Sequence, residues 1–488
     1  MFRSYEQDQN FLLPPNVREF IDESHPAHLI NDLVEKLDIG VFDRRYGKMG
    51  QPAYPPRMML KVILYGMSVG CFSSRKLARA CRENLAFKYL AGMAEPSFKT
   101  FIEFRKRHRE EMVVLFVQTV KLAREMGFVL LKSVALDGTK MKADTSEHKA
   151  MSYGRMQEEE KRLKAEMEAL LNGVEKTDEQ EDKEVGVEVD GFSLSEEWAL
   201  RGKRLAKIEE AISALRAREE DDHPGEPIDP KRQISFADPA ARCFTKKSDG
   251  TQYIYNSQAA VDMASQIIVE NHIEDSVSDA QAAKTSLMNI RKEQGVVPDH
   301  LVMDSGYANT NTLEACERHQ VIPVCAPSRE KRVDILGSEA VKETGYRYDS
   351  KENRFLCPHG VFFFFSHWTP NGKMAVYRSL RESGCSCGRR SRRKGSSTLA
   401  VRKSHLAMQR LKEIKEKPQM QALYRRRKST VEPVFGQIKC GMGFRRYLYR
   451  GLSSVRSEWN LVCAAFNLKK MAALLQKKES IESLEGIA

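Results

Sequence analysis

Two short apolar runs, each ending in an aspartate, constrain this chain more than any other feature. The first is Ser133-Val134-Ala135-Leu136-Asp137-Gly138-Thr139-Lys140. The second, 167 positions later, is His300-Leu301-Val302-Met303-Asp304-Ser305-Gly306. β-Favouring residues lead into a glycine-containing turn signal, so each run reads as a strand that stops at its carboxylate. Taken singly, either aspartate is equally well a turn former. The repetition points toward function, because open α/β sheets bind ligands at the carboxyl ends of their strands.

The segments around these runs fit such a sheet. Residues 243–246, 253–257 and 266–270 read as successive antiparallel strands, and 278–294 as a helix. A strand over 298–304, a helix over 311–320 and a strand over 321–324 follow. Three strands, helix, strand, helix, strand is the order of an α/β domain on a mixed sheet. Asp262, Glu270 and Asp275 are further carboxylates here, assigned to the sheet or its solvent edges.

Upstream, spacings of three and four through Leu29, Ile30, Leu33, Val34 and Leu37 predict an amphipathic helix. Residues 57–69 are apolar enough for a buried helix, and shorter helices are expected over 75–81, 84–90 and 98–110. The last carries Lys99, Arg105, Lys106, Arg107 and Arg109. Helix-turn-helix DNA binding fits this pattern, and so does a plain bundle with a solvated charged face. A helix over 112–126 then leads into the Asp137 strand.

Two stretches interrupt the α/β pattern. In 154–221, Leu163, Met167, Leu170 and Val174, then Leu205, Ile208, Ile212 and Leu215, recur at helical spacing around an acidic stretch. They predict an inserted antiparallel helical hairpin. In 329–420, Cys357, His359, Cys385 and Cys387 have zinc-ligand chemistry, although Cys-x-Cys is tighter than the usual spacing. The cluster Arg389, Arg390, Arg392, Arg393 and Lys394 suits phosphate contact better.

Near the end, Ser429 or Thr430 reads as the cap, or Pro433 as the first residue, of a helix carrying Glu432. Lys439 lies two turns further on the same face, and Arg445, Arg446 and Arg450 extend the basic track. A helix over 454–475 with Val455, Trp459, Val462 and Phe466 should close the core.

Charge then narrows the chemistry. The 79 Lys and Arg outnumber the 67 Asp and Glu, a net +12 that favours a polyanionic partner. The ten cysteines have no framework spacing, the first residues do not read as a secretory signal, and no run approaches a membrane span. A soluble, intracellular protein with reduced thiols and no membrane partner is expected. Two strand-end aspartates and a helix glutamate, each beside Lys or Arg, suit Mg2+ and a nucleic-acid phosphodiester. Without a cation the carboxylates would repel one another and the substrate.

At these residues the sequence resembles the DDE transposases of bacterial insertion sequences, which carry an RNase H-like catalytic domain of the retroviral integrase superfamily. The blocks are Tyr54 to His108, Leu136-Asp137-Gly138-Thr139-Lys140-Met141-Lys142-Ala143, and Tyr255-Asn256-Ser257-Gln258-Ala259-Ala260-Val261-Asp262. Met303-Asp304-Ser305-Gly306-Tyr307 and Val431-Glu432-Pro433-Val434-Phe435-Gly436-Gln437-Ile438-Lys439 complete them. The resemblance implies Asp137, Asp304 and Glu432 as catalytic residues and as ligands of two Mg2+ ions, with Mn2+ substituting. It implies DNA contacts from Lys140, Lys142, Arg427, Lys428, Lys439, Arg445 and Arg446.

The family's third motif runs Tyr, two residues, Arg, three residues, Glu, six residues, Lys. Glu432 and Lys439 fit, but Tyr424 and Arg427 stand one position too far from Glu432, and Lys428 takes the expected Arg place. The Arg role is thus open between Arg427 and Lys428.

An α/β fold is therefore expected: an RNase H-like mixed sheet flanked by helices, with a helical DNA-binding domain over 1–125 and the catalytic domain over 126–475. Helical or irregular insertions would occupy 154–221 and 329–420, with a tail over 476–488. The implied partners are double-stranded DNA, as terminal inverted repeats and target, and a second copy or more of the chain, in the cytoplasm with the nucleoid. A metal-dependent nuclease without strand joining and a non-catalytic DNA-binding repressor are the alternatives.

Overall fold

The computed structural model describes residues 16–47, 52–145, 150–181, 191–246, 250–326, 346–349, 351–379, 389–390 and 397–485. Helices α1 (Pro26–Glu35), α2 (Gly40–Asp43), α3 (Pro56–Ser68), α4 (Ser74–Glu83), α5 (Leu85–Ala91), α6 (Phe98–Arg107) and α7 (Glu111–Glu125) come first. Their ends are set locally. Proline opens α1 and α3, where a missing N–H costs nothing. Asn84 caps α5, Ser97 caps α6, and Gly92 ends α5 in the left-handed conformation. Arg57 joins α3 to α1 by donating to Val34 O at 2.7 Å and Glu35 O at 3.0 Å, satisfying carbonyls at the end of that helix.

The main sheet comprises β1 (Ser133–Lys142), β4 (Arg242–Lys246), β5 (Gly250–Asp262), β6 (Ile268–Glu274), β7 (His300–Val302) and β8 (Ile322–Val324). Its order is β4-β5-β1-β7-β8, with β6 pairing the other half of β5. β5 runs antiparallel to β1 and β6, whereas β7 is parallel to β1 and β8 parallel to β7. Four strands in antiparallel pairing, β4, β5, β6 and β1, followed by the two parallel strands β7 and β8 make an RNase H-like mixed sheet. α10 (Ala282–Gln294) and α11 (Thr310–His319) supply the crossovers.

β1 does not stop at Asp137. It continues to Lys142 because β5 pairs with it throughout, Asp137 opposite Ala259 and Gly138 opposite Gln258. A Cβ on residue 138 would lie 2.3 Å from Gln258 Nε2. Gly138 thus makes room for a side chain lying across it, and the Asp-Gly pair is not a turn.

Between β1 and β4, β2 (Ala150–Ser152) and β3 (Gln233–Ser235) flank α8 (Tyr153–Glu181) and α9 (Gly191–Asp222). These two helices share a small separate core of Met156, Leu163, Ile208, Ile212 and Leu215. The region after β8, expected to be helical or irregular, instead builds a second sheet. Strands β9 (Arg347–Asp349), β10 (Arg354–Leu356), β11 (Phe362–Trp368), β12 (Met374–Ser379), β13 (Arg389–Arg390) and β14 (Ser397–Arg402) pair antiparallel in the order β13-β14-β12-β11-β10-β9. Phe355, Phe363, Tyr377, Leu399 and Val401 form its core.

α12 (Lys403–Glu416) leads to α13 (Pro418–Gly436), which begins well before the expected caps at Ser429 or Thr430. Pro433 sits inside α13. It cannot donate to Ser429 O, and Gln266 Nε2 does so instead at 3.0 Å. A π-helical turn, Gln437–Gly441, follows, and α14 (Leu452–Glu485) closes the chain. α14 packs on α1, α3, α7 and β6, so one core joins the amino-terminal helices to the sheet. Asn467 fastens it there: its amide donates to Ile268 O at 2.8 Å and accepts from Ile268 N at 2.9 Å. Among the described residues, no helix is long and apolar enough to cross a membrane.

Of the spare carboxylates, Asp262 is buried and receives the Ala264 and Ser265 N–H groups, and the exposed Asp275 pairs with Arg242. Glu270 is buried against His272 at 2.9 Å, with Glu274 on the other ring nitrogen at 3.2 Å. Burial alone would lower the imidazole pKa, but the two glutamates hold it up at about 9. A folded pKa above the unfolded value gives stability that is whole below pH 6.5 and lost as pH rises through 9. Denaturant titration should therefore show a decline across that window, on the order of 3 kcal/mol. Glu293 and Glu458, each raised by burial to about 7, lose stability as pH rises through 7. The part extending to pH 9 should vanish in His272→Gln, and an unchanged profile would show that the triad carries none of it.

Candidate active site

The pairing of β1 with β7 brings the two aspartates together. Ser133 lies opposite His300 and Ala135 opposite Val302, so Asp137 and the turn after β7 stand side by side at one end of parallel strands. Asp304 caps that turn, the 3-10 segment Ser305–Tyr307, by accepting from Gly306 N at 2.7 Å. Asp137 accepts from its neighbour Gly138 N at 2.9 Å and from Arg427 Nη1 at 3.1 Å.

Burial pushes the Asp137 carboxyl up to about 6, despite the opposing pull of Arg427 and the Gly138 N–H. The charges of Asp304 and then Asp279 add to the rise. A half-buried carboxylate facing like charges is a group that gains from a cation.

α13 reaches this end of the sheet against β1, β7 and β8. Arg427 is its inward cation, with only 9 % of its side chain exposed, and Tyr424 lies one turn before it on the same side. Lys428 and Glu432, also one turn apart, are exposed. Glu432 is rotated about 140° around the helix from Arg427. The structure therefore brings Asp137, Asp304 and Arg427 together and leaves Glu432 outside that group. Among the described residues, no three His, Cys, Asp or Glu side chains stand close enough to hold a metal ion. The donor chemistry still fits a hard divalent cation, since Asp137 and Asp304 offer carboxylate oxygens.

The expected DNA-contacting residues divide. Lys142, Lys428, Arg445 and Arg446 are exposed and Lys439 is half-buried. Arg446 pairs with Asp144, which Arg450 also meets at 2.9 Å. Lys140 turns inward and donates to Val277 O at 2.7 Å and Asp279 Oδ1 at 3.2 Å. Of the zinc candidates, Cys357 is buried and accepts from Val361 N, whereas Cys385 and Cys387 lie outside the described residues. His359 sits in the turn between β10 and β11.

Sequence reasoning missed the polar layer beside the aspartates. Gln258 and Asn256, both buried in β5, donate to Asp279 Oδ1 at 2.8 Å, and Tyr307 OH donates to Gln258 Oε1 at 2.5 Å. The available signal was Asn256-Ser257-Gln258, three consecutive polar residues within a central strand.

Residues 15–107 match the family model "Transposase domain (DUF772)", and residues 357–472 match "Transposase DDE domain". No curated protein matches the chain. Among solved structures, a cryo-EM structure of piggyBac transposase synaptic complex with hairpin DNA is similar at 9% identity. It covers 94% of this chain and 78% of that one, with a TM-score of 0.31, a likeness that decides nothing by itself. The two segments that match transposase family models flank the sheet that carries Asp137 and Asp304, and the second contains Arg427 and Glu432.

Proposed function

We propose that the chain is a DNA transposase that binds the ends of its own element, cuts them by hydrolysis and joins the freed 3′-OH ends to target DNA. One observation carries the reading. Asp137 and Asp304 belong to segments far apart in sequence, yet the Asp304 charge reaches the Asp137 carboxyl, which a cation from α13, Arg427, also meets at 3.1 Å.

Asp137 and Asp304 would hold divalent cations, Mg2+ or in its place Mn2+, with Glu432 completing the set when α13 meets DNA. Cations held there would supply activation of the attacking oxygen and stabilisation of the leaving one. The chain's own part is positioning. Lys428, Lys439 and Arg445 lie on or after α13, where they can grip phosphates on either side of the scissile bond. Arg427, already turned inward, can share its guanidinium between Asp137 and a phosphate oxygen. With the backbone held in line, water attacks phosphorus at the element's end and the 3′ oxygen leaves. That 3′-OH then attacks a target phosphate in a second displacement of the same kind.

The amino-terminal helices would supply sequence-specific binding, with Arg75, Lys76, Arg79 and Arg82 on α4 and Lys99, Lys106 and Arg107 on α6. Synapsis of two ends needs at least two copies of the chain.

The test uses the full chain with labelled duplex carrying the element's ends. A 3′-OH nick at the end that requires Mg2+ or Mn2+, followed by joined product on added target, is the expected result. Nicking without joining would favour a nuclease, and binding without either would favour a repressor.

A further inference from the structure

We infer that Asp279, Gln258 and Tyr307 form a positioning relay that fixes the Asp304 turn against Asp137. The inference rests on the metal-dependent reading above and adds residues that touch neither substrate nor cation.

The contacts form a closed path between the two aspartates. On β1, three residues beyond Asp137, Lys140 Nζ holds the loop before α10 through Val277 O at 2.7 Å and Asp279 Oδ1 at 3.2 Å. Asp279 Oδ1 also accepts from Asn256 Nδ2 and Gln258 Nε2, each at 2.8 Å. Gln258 Nε2 reaches Asn256 Oδ1 as well, at 2.9 Å. Gln258 Oε1 then accepts from Tyr307 OH at 2.5 Å, and Tyr307 belongs to the turn that Asp304 caps. A second tie lies two residues on, where Asn309 Nδ2 donates to Ala280 O at 3.1 Å. One loop, through Asp279 and Ala280, thus holds the Asp304 turn at two points.

The relay has a single arrangement. The Gln258 amide nitrogen faces the Asp279 and Asn256 oxygens, so turning the amide over would set its own oxygen against them and break both of those bonds. Its side chain lies across Gly138, where a Cβ would stand 2.3 Å from Nε2, so it cannot shift toward β1. Tyr307 is buried and Gln258 fully so. A satisfied buried network of this kind holds one geometry and resists alternatives. Carboxylates that must take up a cation together need that constraint, because groups beyond the ligands orient them.

Tyr307→Phe is the informative variant because it removes one hydroxyl and keeps the ring. Mn2+ is titrated into the metal-free full-length chain, followed by electron paramagnetic resonance, with thermal melting and end cleavage measured beside it. The expected result is about tenfold weaker Mn2+ binding. Maximal cleavage rate should fall by a similar factor, with half-saturating DNA concentration unchanged and a melting temperature within a few degrees of wild type. Asp279→Asn keeps an oxygen for Asn256 and Gln258 while losing the charge that faces Lys140, so it should fall between wild type and Tyr307→Phe.

Wild-type Mn2+ affinity in a folded Tyr307→Phe protein would overturn the relay while leaving the transposase reading standing. A lower melting temperature with unchanged Mn2+ affinity would reduce the network to a structural role and also overturn it. A folded wild-type chain that binds no Mn2+ either alone or with end DNA would remove the metal-dependent reading, and the relay with it.

Discussion

Asp304→Asn should lose end cleavage by at least about a thousandfold while binding the element's ends within about twofold of wild type. Asparagine keeps the side-chain oxygen that accepts from Gly306 N, so the 3-10 turn and its relay to Gln258 persist. What disappears is the negative charge. Asp137 already titrates near 6 because burial and nearby acids oppose its ionisation. Removing Asp304's charge lets Asp137 ionise more easily but halves the anionic oxygen set a divalent cation needs. The variant should therefore remain folded and DNA-competent while failing at chemistry. Gel shift, melting and cleavage measured on one preparation check all three. Cleavage surviving within tenfold would show that Asp304 is a turn former, the bland role its Asp-Ser-Gly context also allows.

The amino-terminal helices and the strands of the main sheet were legible because their signals were local. Three-and-four spacing gave the amino-terminal helices, and runs of β-branched and apolar residues gave the strands in the order a mixed sheet requires. The misreadings share a cause, which is that a distant residue decided the local outcome. Asp137-Gly138 looked like a turn, yet the glycine serves Gln258, 120 positions away in sequence and opposite it in the sheet. Pro433 looked like a helix start, yet Gln266 takes the hydrogen bond that the proline leaves open, and the helix runs through. β11 hid its alternation behind four consecutive phenylalanines, of which Phe363 is buried and Phe362, Phe364 and Phe365 are exposed. Asp279 carried no signal at all. It lies in a loop of Asp and Ser residues, and only the fold brings it to Lys140, Asn256 and Gln258.

The same dependence on distance governs the second large effect, in Glu432→Gln. The motif spacing placed either Arg427 or Lys428 in the arginine role, and the geometry separates them: Arg427 turns in to Asp137, while Lys428 and Glu432 lie exposed on another strip. For Glu432 to join the aspartates, α13 must turn or its end must shift. The chain offers a place for that movement, because Pro433 interrupts the hydrogen-bond ladder and a π-helical turn follows at Gln437–Gly441. DNA phosphates attracting Lys428 and Lys439 would draw the same strip inward, carrying the glutamate with them. Glu432→Gln should then reduce cleavage by at least about a hundredfold. Its melting temperature should match wild type, since an exposed side chain contributes little to stability. The decisive comparison is Mn2+ binding with and without end DNA: the variant should equal wild type without DNA and fall below it with DNA. Equal Mn2+ binding and equal cleavage in both proteins would remove Glu432 from the site. The third carboxylate would then have to be sought among the acids whose charge already reaches Asp137, of which Asp279 is the nearest in effect after Asp304.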